Sequence, residues 1–227
     1  MFWVDASYLL VIPAMLFALW ASYRVKSTFA KYNTVYSQRG MTAAMVARRI
    51  LDENGLREVR IEQVAGNLTD HYDPKGNVIR LSESVYGSAS VAAIGVAAHE
   101  CGHAVQYAKE YLPIRIRAAM IPVTNIGSNI AIPLALFGVV LGMEMLINLG
   151  ILLFLAVVFF QLVTLPVEFN ASARAMRTLE GEQMLVSDEL AGAKKVLTAA
   201  ALTYVAALVV ALANLARLLA LRDRRRR

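Results

Sequence analysis

The chain has one cysteine, Cys101, in 227 residues, so no intramolecular disulfide can form. Charge is also scarce. Only 18% of residues are charged and 58% are apolar, where a soluble domain averages about 25% charged and about 45–50% apolar. There are three histidines, too few for a histidine-rich metal tract. Internal repeats are missing, and so is any low-complexity segment beyond the arginines that end the chain. Those arginines have no interleaved aromatics, which removes the usual mark of a nucleic-acid surface and leaves an interfacial anchor as the simplest reading. The first apolar block lacks the positive start and small-residue cleavage site of a secretory signal, and Arg24 and Lys26 follow it. A retained anchor helix is expected there.

The apolar excess lies in four blocks, at residues 2–23, 118–143, 145–167 and 196–216. Each reaches the ~20 residues that cross a hydrocarbon core, and backbone polar groups in lipid must be satisfied internally, so these segments are expected as helices. Glu144 separates the middle two, which predicts a tight hairpin. The expectation is a mainly α, multi-pass cell-membrane protein of about four transmembrane helices. All 227 residues would form a single integral-membrane peptidase domain, with its catalytic regions at 24–117 and 168–195. Those regions would share one side of the membrane. That side carries Arg24, Lys26, Lys31, Arg115, Arg117, Arg174, Arg177, Lys194 and Lys195, whereas the loop 142–150 has no positive charge. The first span and the lysine–arginine bias place that side in the cytoplasm. Arg217, Arg222 and the terminal arginines then fall on the opposite side, against the rule.

Residues 24–117 read as helix, two strands, helix. Thr42 can cap a helix over 43–54, stopped by Gly55. Residues 59–64 alternate like a strand, and 78–81 read as a second strand. Between them, 67–77 are rich in turn formers. Ser88 or Ser90 can start a helix that runs to about Tyr111 and ends at Pro113. This small α+β region must pack on the membrane helices and on 168–195.

That last helix contains His99-Glu100-Cys101-Gly102-His103. Histidines four apart share one helical face, so both imidazoles can bind one Zn²⁺, with Glu100 beside the metal as general base. Buried, hydrogen-bonded histidines in a chance pattern are the plain alternative, found in on the order of 1% of chains this long. A catalytic zinc needs a third protein ligand. His71, Asp73, Glu110, Glu168, Glu180, Glu182 and Asp188 are the candidates, and Glu168 is preferred. Ala171, Ser172 and Ala175 share its helical face and are small. On the other helix Gly95 lies one turn before His99 and Gly102 three residues after it. Small residues on both sides let two helices approach until a carboxylate reaches the metal. The plain alternative is an acid at a helix start.

Glu168-Phe169-Asn170-Ala171-Ser172-Ala173-Arg174-Ala175 after an upstream H-E-x-x-H resembles the YugP-type neutral zinc metallopeptidases. More distantly it is similar to the HtpX-like membrane proteases, which have an aspartate where this chain has Ser172. Asp70-His71-Tyr72-Asp73-Pro74 and Leu81-Ser82 also resemble the YugP family. The resemblance implies a gluzincin-type, zincin-like site of two His and one Glu. Asn170 stands where that family is expected to carry an aspartate.

Other residues carry weaker expectations. Cys101 lies about 200° round the helix from His99 and is expected in the core. His71 either helps hold the charge of a tetrahedral intermediate or contacts turn backbone; Tyr72 is a weaker candidate of the same kind. Strand 78–81 either pairs with an extended substrate as an edge or packs in a hairpin. Asn125 and Asn129 either line a route to the site or, as favoured, bond between helices. The expected activity is that of a zinc-dependent metalloendopeptidase with one Zn²⁺ per chain. Its expected partners are peptide or protein substrates associated with the membrane, and the lipid bilayer. The alternative is a catalytically silent zinc-binding membrane scaffold.

Overall fold

A computed structural model describes residues 6–225. Phe2 to Asp5 of the expected first span, and Arg226 and Arg227 of the tail, lie outside the described residues. The elements in order are α1 (Val11–Asn33), α2 (Ala43–Glu53), β1 (Arg60–Val64), β2 (His71–Asp73), β3 (Val78–Ser82), α3 (Glu83–Tyr86), α4 (Val91–Ala108), α5 (Leu112–Leu141), α6 (Glu144–Gly181) and α7 (Ser187–Arg225). Among the described residues four helices are long and apolar enough to cross a membrane, ending at Asn33, Leu141, Gly181 and Asp223. The chain is thus mainly helical with a small sheet. α1, α6 and α7 run on past the ends of their apolar blocks, and α5 starts before its block and stops at Leu141, because a helix needs only internal hydrogen bonds to continue beyond an apolar run.

The chain divides into two compact units. The first draws on Met1–Ser22, Arg115–Pro166 and Leu202–Arg227. Its core is Ala131, Ala135, Ile147, Ile151, Phe154, Val158, Ala211 and Leu218, while Phe137, Leu152, Phe159 and Leu162 stay exposed. Large apolar side chains turned outward fit a lipid surrounding. The α5–α6 hairpin is tight, as the sequence predicts. Gly142 makes the turn at φ 83°, and Glu144 opens α6. Two expectations fail in this unit. The Asn129 amide donates to the Asn125 carbonyl of its own helix, since one turn back is the nearest acceptor for a short amide. The arginine tail, in which Arg217 is counted, is expected as a solvated interfacial anchor, and this fails at Arg217: it is buried, with its guanidinium 3.7 Å from the centroid of the Tyr8 ring.

The second unit draws on Tyr23–Ile114 and Val167–Ala201. Thr42 caps α2, its hydroxyl accepting from the Met45 amide. Ser90 caps α4 by accepting from Ala93. The strand order is β1-β3-β2, parallel between β1 and β3 and antiparallel between β2 and β3. Residues 78–81 are therefore the middle strand and not an edge, because both faces of β3 are buried. Strand β2 lies inside the turn-rich stretch. It survives there because Asp73 Oδ1 accepts from the Lys75 and Gly76 amides and turns the chain back for pairing with β3. The helix expected to reach Tyr111 ends at Ala108. Glu110 goes left-handed at φ 49°, and the Tyr111 amide closes on the Gln106 carbonyl. Pro113 sits in the first turn of α5, where a missing N–H costs nothing. One core joins α2, β3 and α4 to Ala175 and Leu179 of α6 and Ala193 and Leu197 of α7.

Candidate metal centre

Helix α4 turns His99 and His103 to the same side, with ring centroids 4.7 Å apart. Opposite them stands Glu168 of α6, 1% exposed. Its Oε2 is 3.3 Å from His99 Nε2 and 3.6 Å from His103 Nε2. The approach depends on Gly102. A Cβ there would lie 2.6 Å from the Ala171 carbonyl oxygen, so only glycine lets α6 come this near. Gly95 serves a different contact from the one expected. Its open face meets Ala193 of α7, 3.5 Å away, and not α6.

Two side chains not expected beside the histidines orient the imidazoles. Ser172 Oγ is 3.1 Å from His99 Nδ1, and Gln106 Oε1 is 3.0 Å from His103 Nδ1. The Gln106 amide can be read unambiguously. Its Nε2 donates to the Val167 carbonyl and to Asn170 Oδ1, so its oxygen must accept from His103. His103 Nδ1 therefore carries a proton, which leaves Nε2, the ring nitrogen nearest Glu168, as the one that can bind a metal. Asn170 Oδ1 also accepts from Arg174 Nε, at 2.7 Å. An asparagine oxygen does this positional work without a carboxylate. The signals were present: Gln106 is three residues after His103 and Ser172 four after Glu168, each one turn along a helix.

The three ligand atoms lie within 4.8 Å of one another. Zinc bonds of about 2.0–2.1 Å in tetrahedral geometry set neighbouring ligand atoms about 3.3–3.4 Å apart. The 3.3 and 3.6 Å separations match that edge, and a set of two imidazole nitrogens and one carboxylate oxygen suits zinc. The residues present fit the metal.

Glu100 is 8% exposed. Its Oε2 accepts from the Tyr72 amide of β2 at 3.0 Å. The Tyr72 ring packs on Tyr107, with centroids 5.7 Å apart, one turn beyond His103. Its hydroxyl donates to Asn77 Oδ1.

A sequence pattern described as "putative neutral zinc metallopeptidase" matches residues 7–223. The chain belongs to this family. It is also 52% identical over 208 residues to the "Putative membrane protease YugP" of Bacillus subtilis (strain 168), covering 92% of each chain. No solved structure matches it.

Among the described residues the other third-ligand candidates of this family member stand outside the cluster. Asp73 is spent on its turn and on Arg80, 2.8 Å away. That guanidinium, with the Gly76 amide, holds the Asp73 carboxyl down to about 2. Asp70 takes the amide and hydroxyl of Ser82. Burial pushes its carboxyl up, and the Ser82 hydrogen bonds oppose this. These bonds tie the loop before β2 to the end of β3, which gives Asp70 and Ser82 a structural reason for standing together. His71 is exposed, with Nδ1 2.8 Å from the Thr69 carbonyl, so it makes the backbone contact. Cys101 is buried against the Ala47 carbonyl, and burial pushes its thiol far above the ordinary range. It is a core residue.

Gln106 and Ser172 offer a direct check. Gln106→Leu and Ser172→Ala should each weaken zinc about 10–100-fold, the usual cost of losing a partner that orients a ligand. Titration with a competing chelator measures it. Unchanged affinity in both would show that the rings need no such support.

Proposed function

We propose that the chain is a membrane-embedded zinc endopeptidase, a single integral-membrane peptidase domain over residues 1–227, which hydrolyses peptide bonds of membrane or unfolded proteins. One observation carries this: two imidazoles with oriented Nε2 atoms and one buried carboxylate converge on a zinc-sized gap, with Glu100 on the same helix. The family and the YugP relative support zinc and proteolysis. The donor set makes the site gluzincin-type and zincin-like, holding one zinc per chain. Bound by His99, His103 and Glu168, zinc would supply Lewis acidity, polarising a peptide carbonyl and acidifying a water.

Glu100 then takes the proton of the attacking water at its carboxylate and passes it to the leaving nitrogen. The Tyr72 amide holds that carboxylate in place. Strand β2 is an outer strand of the sheet, and an extended peptide can add to such a strand, which brings its backbone beside Glu100. His71 is the neighbouring residue on β2. With its Nδ1–H given to Thr69, its Nε2 donates to a developing oxyanion only when the ring is protonated. Cleavage of an unfolded protein by the purified chain in detergent tests the proposal. Hydrolysis should stop on chelation and return with zinc; a rate indifferent to chelator would overturn it.

The active site is assigned to the cytoplasmic side, from the positive flank of the first span. A cysteine placed at the exposed Lys31, in a Cys101→Ala background, should resist an impermeant thiol reagent in intact cells. Strong labelling from outside would reverse the orientation.

A further inference from the structure

Behind the metal helix, α2, α4 and α6 line an open cleft of ≈ 380 Å³, inside the ~300–1,000 Å³ range of small-ligand sites. Its α4 wall includes Ala98 and Gly102, each roughly 100° round the helix from a histidine. It is therefore separate from the metal face. Three cations line it: Lys109, Arg174 and Arg177. Two carboxylates line it as well, Glu53 and Glu182, and both are already engaged. Arg49 donates to Glu53 at 3.0 Å and to Glu182 at 3.4 Å. Among the described residues no carboxylate pairs with Lys109, Arg174 or Arg177. Both arginines are anchored through Nε alone, Arg174 on Asn170 and Arg177 on the Ala173 carbonyl. That fixes each guanidinium stem and leaves the terminal nitrogens for a ligand.

Two anchored guanidinium forks and one ammonium around a small cleft suit a compact, multiply charged oxyanion. Arginine forks grip phosphate oxygens in pairs, and lysine adds a point charge. A phosphate monoester brings three terminal oxygens and about −1.5 to −2 charges at neutral pH, against three lining cations and the Arg49 guanidinium that Glu53 and Glu182 share. The lining stays positive after those two carboxylates are counted, and a single carboxylate would leave part of that charge unanswered. We propose that this cleft binds a phosphate monoester group, either on a small soluble molecule or as a lipid headgroup. The site stands apart from the proteolytic function proposed above.

Arg174 also ends the hydrogen-bond chain through Asn170 and Gln106 to His103. The test therefore changes Lys109 and Arg177, both exposed and neither part of that chain. Purified full-length protein is titrated calorimetrically with inorganic phosphate and with phenyl phosphate in neutral detergent at low salt. A second arm measures binding to phosphatidylcholine nanodiscs with and without phosphatidic acid. Saturable binding is expected in at least one arm, and the arm that responds names the source. Lys109→Gln with Arg177→Gln should weaken it at least about tenfold, with zinc content unchanged; Lys109→Gln alone should weaken it partly. Phosphate held at the metal would survive both changes. No saturable binding in either arm, or equal binding by the double variant, overturns the proposal.

Discussion

Replacing Glu100 by glutamine should leave one zinc per chain in place and lower peptide cleavage at least ~10²-fold. The two effects separate because Glu100 is not among the converging ligand atoms. Its carboxylate instead accepts the Tyr72 amide at 3.0 Å. Glutamine has the same shape, and its amide oxygen can accept that same hydrogen bond, so β2 and α4 stay joined. The lost property is the capacity to take a proton from water and return it to the leaving nitrogen. The loss should fall on kcat and on kcat/KM alike, since a substrate lying along β2 binds as before. Zinc analysis and cleavage of an unfolded protein in detergent are read on the same preparation. A silent zinc scaffold predicts that wild type and Glu100→Gln are equally inert. Full activity in Glu100→Gln would mean that another group serves as base.

The elements set by local chemistry were legible in the chain. Thr42 and Ser90 lie where a hydroxyl can take an exposed amide of the first helical turn, and both caps form. Among the described residues each of the four apolar blocks lies largely in a helix long and apolar enough to cross a membrane, as expected of a backbone that must satisfy its own polar groups in lipid. What escaped the sequence depends on partners distant along it. Strand β2 is three residues long, sits among turn formers, and exists through its pairing with β3. The 78–81 segment looked like a possible edge because its own pattern cannot show strands on both sides. Pro113 looked like a terminator because a proline in the first turn of the next helix gives the same local signal. Gly95 and Gly102 were indistinguishable as small residues. The structure assigns Gly95 to α7 and Gly102 to α6.

The site divides in the same way. Spacing alone put His99 and His103 on one face. Their orientation rests on Ser172, 73 positions away, and on Gln106, whose amide is fixed by Val167 and Asn170, 61 and 64 positions away. In the sequence Ser172 shows only that it is small. Smallness and a hydroxyl serve together here: the residue sits on the Glu168 face of α6 and still reaches His99.

Glu168→Ala should release zinc, a loss different in kind from that in Glu100→Gln. Glu168 Oε2 closes the cluster at 3.3 and 3.6 Å from the two Nε2 atoms. Removing it leaves two neutral imidazoles, and catalytic zinc normally has three protein ligands. Zinc affinity should fall more than the ~10–100-fold expected for a lost ligand-orienting partner, and part of the activity should return at high added zinc. Glu168→Gln keeps an oxygen of similar reach without its charge, so it should lie between Glu168→Ala and wild type. His99→Ala and His103→Ala should abolish stable binding, because each also removes half of the imidazole pair. Equilibrium competition against a calibrated chelator gives the affinities, and metal analysis of protein as purified gives the occupancy. His71→Ala and Asp73→Asn serve as controls that keep zinc, since one ring contacts the Thr69 carbonyl and the other carboxylate is held by Arg80. Full occupancy in Glu168→Ala, together with zinc loss in either control, would place the third ligand on β2. The Gly102–Ala171 approach would then be simple helix packing.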